Sequence, residues 1–132
     1  MARVARGQKG FTLIELLIVI IIVGILAAIA VPLYLGQRSK AKDARLKGDL
    51  HTIVVALENY ALDNNDTFPA GGSGTALRTQ IGGYFDKWPV NPYAGGDMQE
   101  GTTPGSYHYS QGTSSTTYAL SGYLSAGIFT VQ

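Results

Sequence analysis

From Phe11 to Leu35 the chain carries a single charge, Glu15, in a run otherwise built almost wholly of Ile, Leu, Val and Ala. The run is 25 residues long (35 − 11 + 1). As a helix rising about 1.5 Å per residue it reaches roughly 37 Å, enough to cross a hydrocarbon layer about 30 Å thick with some tilt. A soluble core helix returns to polar residues on every turn, and this one does not. From Gln37 the pattern changes. Leu46, Leu50, Ile53, Val54, Leu57 and Ala61 recur at three- and four-residue steps with Tyr60 alongside, while Arg45, Lys47, Asp49, Thr52, Asn59 and Asp63 fall on other faces. The two patterns predict one nearly continuous helix from about Phe11 to about Leu62, apolar all round in its first half and on one stripe in its second. Asp43 and Lys47, four apart with the acid first, read as a surface ion pair.

The turn formers Asp63-Asn64-Asn65-Asp66-Thr67-Phe68-Pro69 end that helix, and a glycine-rich loop follows at 70–75. Residues 76–85 hold one helical turn and then a chain reversal at Gly82-Gly83. Trp88-Pro89-Val90-Asn91-Pro92-Tyr93 has two prolines too close together for regular helix or a central strand, which predicts an ordered loop pinned by Trp88 and Tyr93. Residues 94–105 are again loop. Beyond them Tyr107 and Tyr109, then Tyr118 and Leu120, then Ile128 to Val131 alternate in and out, an antiparallel meander of three strands. Its apolar face is the natural cover for the Leu46–Ala61 stripe. The fold class is therefore α+β, one long helix under a small antiparallel sheet.

The apolar run has features that a plain anchor does not need. A carboxylate at the centre of a membrane helix costs about 2.5–3.5 kcal/mol on insertion scales, and somewhat less near an end. Glu15 thus asks for a cation, and no Lys, Arg or His lies between Phe11 and Gln37. A cut between Gly10 and Phe11 would create one, an α-amine four residues from Glu15, about 6 Å along a helix axis. Pro32 removes the hydrogen bond to the carbonyl of Ala28 and predicts a kink, and Gly24 is a second soft point.

Lys9-Gly10-Phe11-Thr12-Leu13-Ile14-Glu15 resembles the leader-cleavage site of type IV pilins and type II secretion pseudopilins. The resemblance covers the N-terminal quarter and implies a set of expectations. A prepilin peptidase cuts after Gly10 and N-methylates Phe11. Glu15 and Phe11 guide assembly into a helical homopolymer, and Gly24 and Pro32 give the helix local flexibility. It implies residues 1–10 as a cleaved leader, 11–36 as the transmembrane and assembly half of the helix, and 37–132 as a periplasmic or extracellular globular domain. Within that domain lie an amphipathic helix (37–62), loops (63–105) and a sheet (106–132). The precursor would cross the inner membrane once with its N-terminus cytoplasmic, engage the inner-membrane assembly machinery, and leave as an extracellular pilus or a periplasmic pseudopilus. The favoured reading is a pilus-like filament subunit. The alternatives are the major pseudopilin of a type II secretion system, and an anchored or secreted binding domain that never polymerises. A cleaved secretory signal with Ala28-Ile29-Ala30 as its cut site would start the mature chain at Val31, but the run is longer than such a core and contains an acid.

Composition limits the remaining choices. The 132 residues carry a net charge of +1, and loss of Arg3, Arg6 and Lys9 with the leader leaves seven basic against nine acidic side chains, −2. Nothing in that balance calls for nucleic acid. The basic cluster Arg38, Lys40, Lys42, Arg45 and Lys47 lies just past the apolar run, where lipid head groups or neighbouring subunits are its natural partners. There is no cysteine, whereas many pilins close a C-terminal loop with a disulfide; here that loop must be held otherwise. No nucleophile–base pair, HExxH, P-loop or CxxC is present, and His51 and His108 read as surface residues, so no enzyme is expected. Related pseudopilins bind calcium. Asp86 and Asp97, with Asn91 and Glu100, are oxygen ligands in kind but match no loop motif.

Overall fold

A computed structural model describes residues 10–71 and 75–131; the leader up to Lys9, the centre of the glycine-rich loop and Gln132 lie outside the described residues. The elements are α1 (Leu13–Asp63), α2 (Thr75–Ile81), a 3-10 turn (Gly82–Tyr84), β1 (Tyr107–Gln111), β2 (Tyr118–Tyr123) and β3 (Ile128–Val131). The chain falls into two units, Met1–Gln37 and Arg38–Gln132.

In the first unit, Thr12 caps the helix. Its Oγ1 accepts the N–H of Glu15 at 3.3 Å and its carbonyl accepts the N–H of Leu16 at 3.3 Å. Helical structure then continues through Gly24 and Pro32, the latter lying inside α1. The large apolar side chains from Leu13 to Leu35 are exposed throughout.

The second unit supplies the core. All six stripe residues are buried, and Ala56 joins them. The three strands form an antiparallel meander in the order β1-β2-β3, with Tyr109 opposite Leu120 and Leu120 opposite Val131. Tyr107, Tyr109 and Leu120 face inward on the same cluster as Leu46, Leu50, Ile53 and Leu57. Sheet and helix approach closely at Gly122, where an added Cβ would run into Leu50 Cδ1. The α2 segment is longer than the single turn predicted. Leu77 and Ile81, four apart and both buried, give it a stripe of its own, and the Gly82-Gly83 reversal is a 3-10 turn that follows it.

The loops are tied down at defined atoms. After α1, Asn65 and Asp66 take left-handed backbone (φ 55° and 57°) and the Asp66 N–H returns to the Ala61 carbonyl at 2.9 Å. The segment then joins the sheet: the Phe68 N–H donates to the Ser115 carbonyl at 2.8 Å, and the Tyr109 hydroxyl to the Pro69 carbonyl at 2.7 Å. In the two-proline loop Trp88 is buried and its Nε1–H donates to the Met98 carbonyl at 2.9 Å. Asn91 Oδ1 accepts the N–H groups of Tyr93 (2.8 Å) and Ala94 (3.0 Å), an Asx turn that aims Tyr93.

Tyr93 and the β2–β3 turn meet on Asp43 of α1. One carboxylate oxygen accepts the Tyr93 hydroxyl and, at 2.9 Å, the Ser125 N–H; the other accepts the Ser125 hydroxyl at 2.7 Å. Asp43 is thus not the simple ion-pair partner of Lys47 that the spacing predicts. Lys47 Nζ lies over the Phe129 ring, 4.9 Å from its centroid, and Lys42 Nζ over the Tyr93 ring at 5.0 Å. Burial pushes the Asp43 carboxyl up, but the hydrogen bonds from Tyr93 and Ser125, with Lys47 nearby, outweigh it and hold the carboxyl below its ordinary range. Asp49, two turns on, is the opposite case. Burial raises it, Arg45 at 3.7 Å offsets only part of that, and its Oδ2 has no hydrogen-bond partner among the described residues.

Two expectations follow for the domain spanning residues 37–132. Asp43→Ala should lower its stability by about 1–2 kcal/mol at pH 7, the range for charge-assisted bonds near a surface. Because the folded-state carboxyl lies below its unfolded value of about 3.9, the contribution is complete above that pH and is lost as pH falls through the depressed value. Urea titrations of parent and variant should therefore converge in acid, and a difference that does not change with pH would disprove the charge-based account. Gly122→Ala should cost about 1–3 kcal/mol by overpacking against Leu50, whereas Gly127→Ala, with open space at its Cβ, should be nearly silent. Thermal melts of both variants provide the check.

Candidate functional site

Gly10 and Phe11 lie outside α1, in exposed non-helical chain, with Phe11 83% exposed. The helix boundary at Thr12 leaves the Gly10–Phe11 bond in exposed, non-helical chain, while the apolar run behind it is helical. The first turn then holds Glu15. Its backbone N–H is used by the Thr12 cap, while its carboxylate is exposed and has no hydrogen-bond or ion-pair partner among the described residues. Because Phe11 and Thr12 precede the helix, the distance from the Phe11 nitrogen to Glu15 is not fixed by helical rise.

Gly24 has nothing within 4 Å of a built Cβ, so a glycine there answers to no packing demand within this chain. Pro32 lies within the helix although it lacks the N–H that would reach the Ala28 carbonyl. With every large apolar side chain from Leu13 to Leu35 exposed, the surface of this segment far exceeds the few hundred Å² of contiguous apolar patch that monomeric soluble proteins leave bare. By length and composition α1 can cross a membrane.

The other candidates do not converge. Asp97 is paired with Arg78 at 2.6 Å and Asp86 is an exposed loop residue. No group of three His, Cys, Asp or Glu that could hold a metal occurs among the described residues. His108 Nδ1 lies 3.4 Å from Glu100, and His51 is exposed on α1. Burial raises the Tyr107 and Tyr109 hydroxyls to about 12, so both stay neutral at ordinary pH and serve as core. The residues that sequence reasoning missed are Asp43 and Ser125. An acid at the edge of an apolar stripe, with an ordered tyrosine loop and a serine turn elsewhere, is the signal, but only the fold brings the three together.

The prokaryotic N-terminal methylation motif matches residues 5–31. The chain is 38% identical over 100 residues to type II secretion system core protein G of Pseudomonas aeruginosa, covering 67% of this chain and 70% of that one. It is 37% identical over 105 residues to core protein G of Vibrio cholerae, covering 71% and 70%. It is also 36% identical over 99 residues to the type IV major fimbrial protein FimA of Dichelobacter nodosus, covering 63% and 64%. No solved structure matches. The matched lengths exceed the apolar helix and extend into the globular unit, so the likeness is not confined to the processing motif. The chain belongs to the type IV pilin and type II secretion pseudopilin family and is a pilin-like structural subunit.

Proposed function

We propose that this chain is the repeating subunit of a type II secretion pseudopilus, made as a single-pass inner-membrane precursor, cut between Gly10 and Phe11, N-methylated on Phe11 and polymerised through α1. The observation that carries this reading is the helix from Leu13 to Leu35, whose apolar surface nothing among the described residues covers, within and beyond a methylation motif that matches residues 5–31. Such a surface is stable in lipid and equally stable against copies of itself. A subunit can therefore leave the membrane only by joining a bundle of the same helices. The core protein G relatives support the pseudopilus, and the fimbrial relative supports a surface pilus as the second reading. The partners are a prepilin peptidase, the inner-membrane assembly machinery and further copies of the chain. No catalytic role is assigned.

Glu15 sets the axial stagger on this reading. Buried in an apolar bundle, its carboxylate is costly unless a cation meets it, and processing creates one at Phe11. A neighbour displaced along the filament offers its own α-amine, and an incoming chain in the wrong register leaves both charges unpaired. Gly24 and Pro32 mark where the helix gives way as the bundle packs.

Intact mass of the native protein should correspond to a chain that begins at methylated Phe11; a start at Val31 would refute the processing scheme. Glu15→Val should insert in the membrane as well as the parent and leave the melting of the globular domain unchanged. It should nevertheless reduce filaments, seen by electron microscopy, at least tenfold, and a normal yield would remove Glu15 from the assembly step. Deletion of the gene should abolish release of secreted proteins while leaving sheared surface fibres intact; the reverse outcome would select the surface pilus.

A further inference from the structure

The second half of α1 buries one stripe and leaves another bare. Lys47, His51, Val55, Glu58 and Leu62 are all exposed. Lys47 and Glu58 are eleven residues apart, three turns and a few tens of degrees at 3.6 residues per turn, so they share one face about 17 Å apart along the axis. Between and beyond them the ridge is apolar: Val55 is 44% exposed and Leu62 74%. At its C-terminal end the ridge opens into a groove of about 320 Å³ lined by Glu58, Ala61, Leu62, Asp66 and Phe68. The floor is apolar and two carboxylates stand on the rim, neither in an ion pair among the described residues. At the other end Lys47 lies over the Phe129 ring, next in the chain to Ile128, which is 61% exposed. Lys47 has no carboxylate within 4 Å among the described residues, and Asp43, the acid one turn before it on the helix, is taken by Tyr93 and Ser125.

We propose that this ridge is a head-to-tail contact between two copies of the chain, with the Lys47–Ile128 end of one copy seated on the Glu58–Phe68 groove of the next. The inference rests on the filament reading and adds a polar contact between globular units. Copies that leave one membrane by the same end are parallel. Parallel and level, they would set Lys47 against Lys47 and Glu58 against Glu58. Displaced by three turns, the lysine of one meets the glutamate of the other, and an apolar side chain reaches an apolar floor. The same displacement repeats for every added copy, so the contact is heterologous and does not close, as a filament requires.

The absence of cysteine makes the test direct. Full-length chain bearing both Lys47→Cys and Glu58→Cys is expressed in its host, and the filament fraction is treated with a short bis-maleimide and run on a denaturing gel. The double variant should give a ladder of multimers, a mixture of the two single variants should stop at dimers, and each single variant alone should stay monomeric. In a parallel set, Lys47→Glu and Glu58→Lys should each cut filament yield several-fold, and the charge-swapped double variant should restore it. Melting of the corresponding domains spanning residues 37–132 controls for folding. Filaments whose double variant stays monomeric would overturn the contact while sparing the filament reading. Crosslinking of Glu58→Cys with itself would replace the head-to-tail contact with a two-fold one. A parent chain that forms no filaments at all would overturn both readings together.

Discussion

The structure depends on how α1 disposes of its apolar surface. One helix carries two burial problems, and among the described residues only one has a solution. The stripe from Leu46 to Ala61 is covered by α2, the Trp88 loop and the sheet, and each Leu or Ile fully buried there contributes about 1.5–3 kcal/mol. The sleeve from Leu13 to Leu35 is covered by nothing among the described residues. The first half therefore fixes where the molecule can reside and the second half fixes what it looks like. On the proposed function, a subunit that exchanges lipid for its own kind without unfolding would need that separation, because the core of the second unit uses none of the side chains from Leu13 to Leu35.

The sheet alone would hold its last turn weakly. The turn after β2 has only four residues, is largely exposed, and lies at the edge of a three-stranded sheet. It has no disulfide to anchor it, since the chain has no cysteine, and the described residues form no metal cluster. The Asp43 carboxylate takes that position with acceptor bonds to Ser125 and Tyr93, drawing two loops to one point on the helix. Such a tie is weaker than a covalent link, whose removal typically costs about 2–5 kcal/mol. In exchange, it forms without an oxidant or a metal and depends only on the carboxylate being ionised.

The parts of this arrangement that follow from chain periodicity were legible in the sequence. The helix, its buried stripe and the three strands each rest on spacings of three to four or of two, which neighbouring residues impose on one another. The second turn of α2 was not legible, because its stripe amounts to two residues, Leu77 and Ile81, beside a pair of glycines. Nor was the partner of Asp43. The i, i+4 spacing to Lys47 pointed to an ion pair, but three donors delivered from 50 and 82 residues away outbid a solvated ammonium, which settles instead on the Phe129 ring. The ion pair of Asp97 was hidden for the same reason: a guanidinium from α2 lies beside it, a neighbour that spacing along the chain does not reveal.

Glu15 shows how magnitude separates a local role from an assembly role. In the first turn of a helix a carboxylate gains from the exposed N–H groups and the macrodipole, and Thr12-Leu13-Ile14-Glu15 has the spacing of a capping box. Only the Thr12 half of that box is formed, however: the Glu15 N–H reaches Thr12 Oγ1 while the Glu15 carboxylate has no partner among the described residues. The gain from the dipole is about 0.3–1 kcal/mol at an exposed end. Placing the same carboxylate unpaired among apolar helices costs several kcal/mol. A residue kept only to begin the helix would thus be a net loss as soon as the helices bundled, and Ser, Thr or Asn at the cap could start the helix without it. The balance turns favourable only if a cation is delivered at the moment of burial. The cut proposed between Gly10 and Phe11 would supply that cation, as a new α-amine four residues from Glu15.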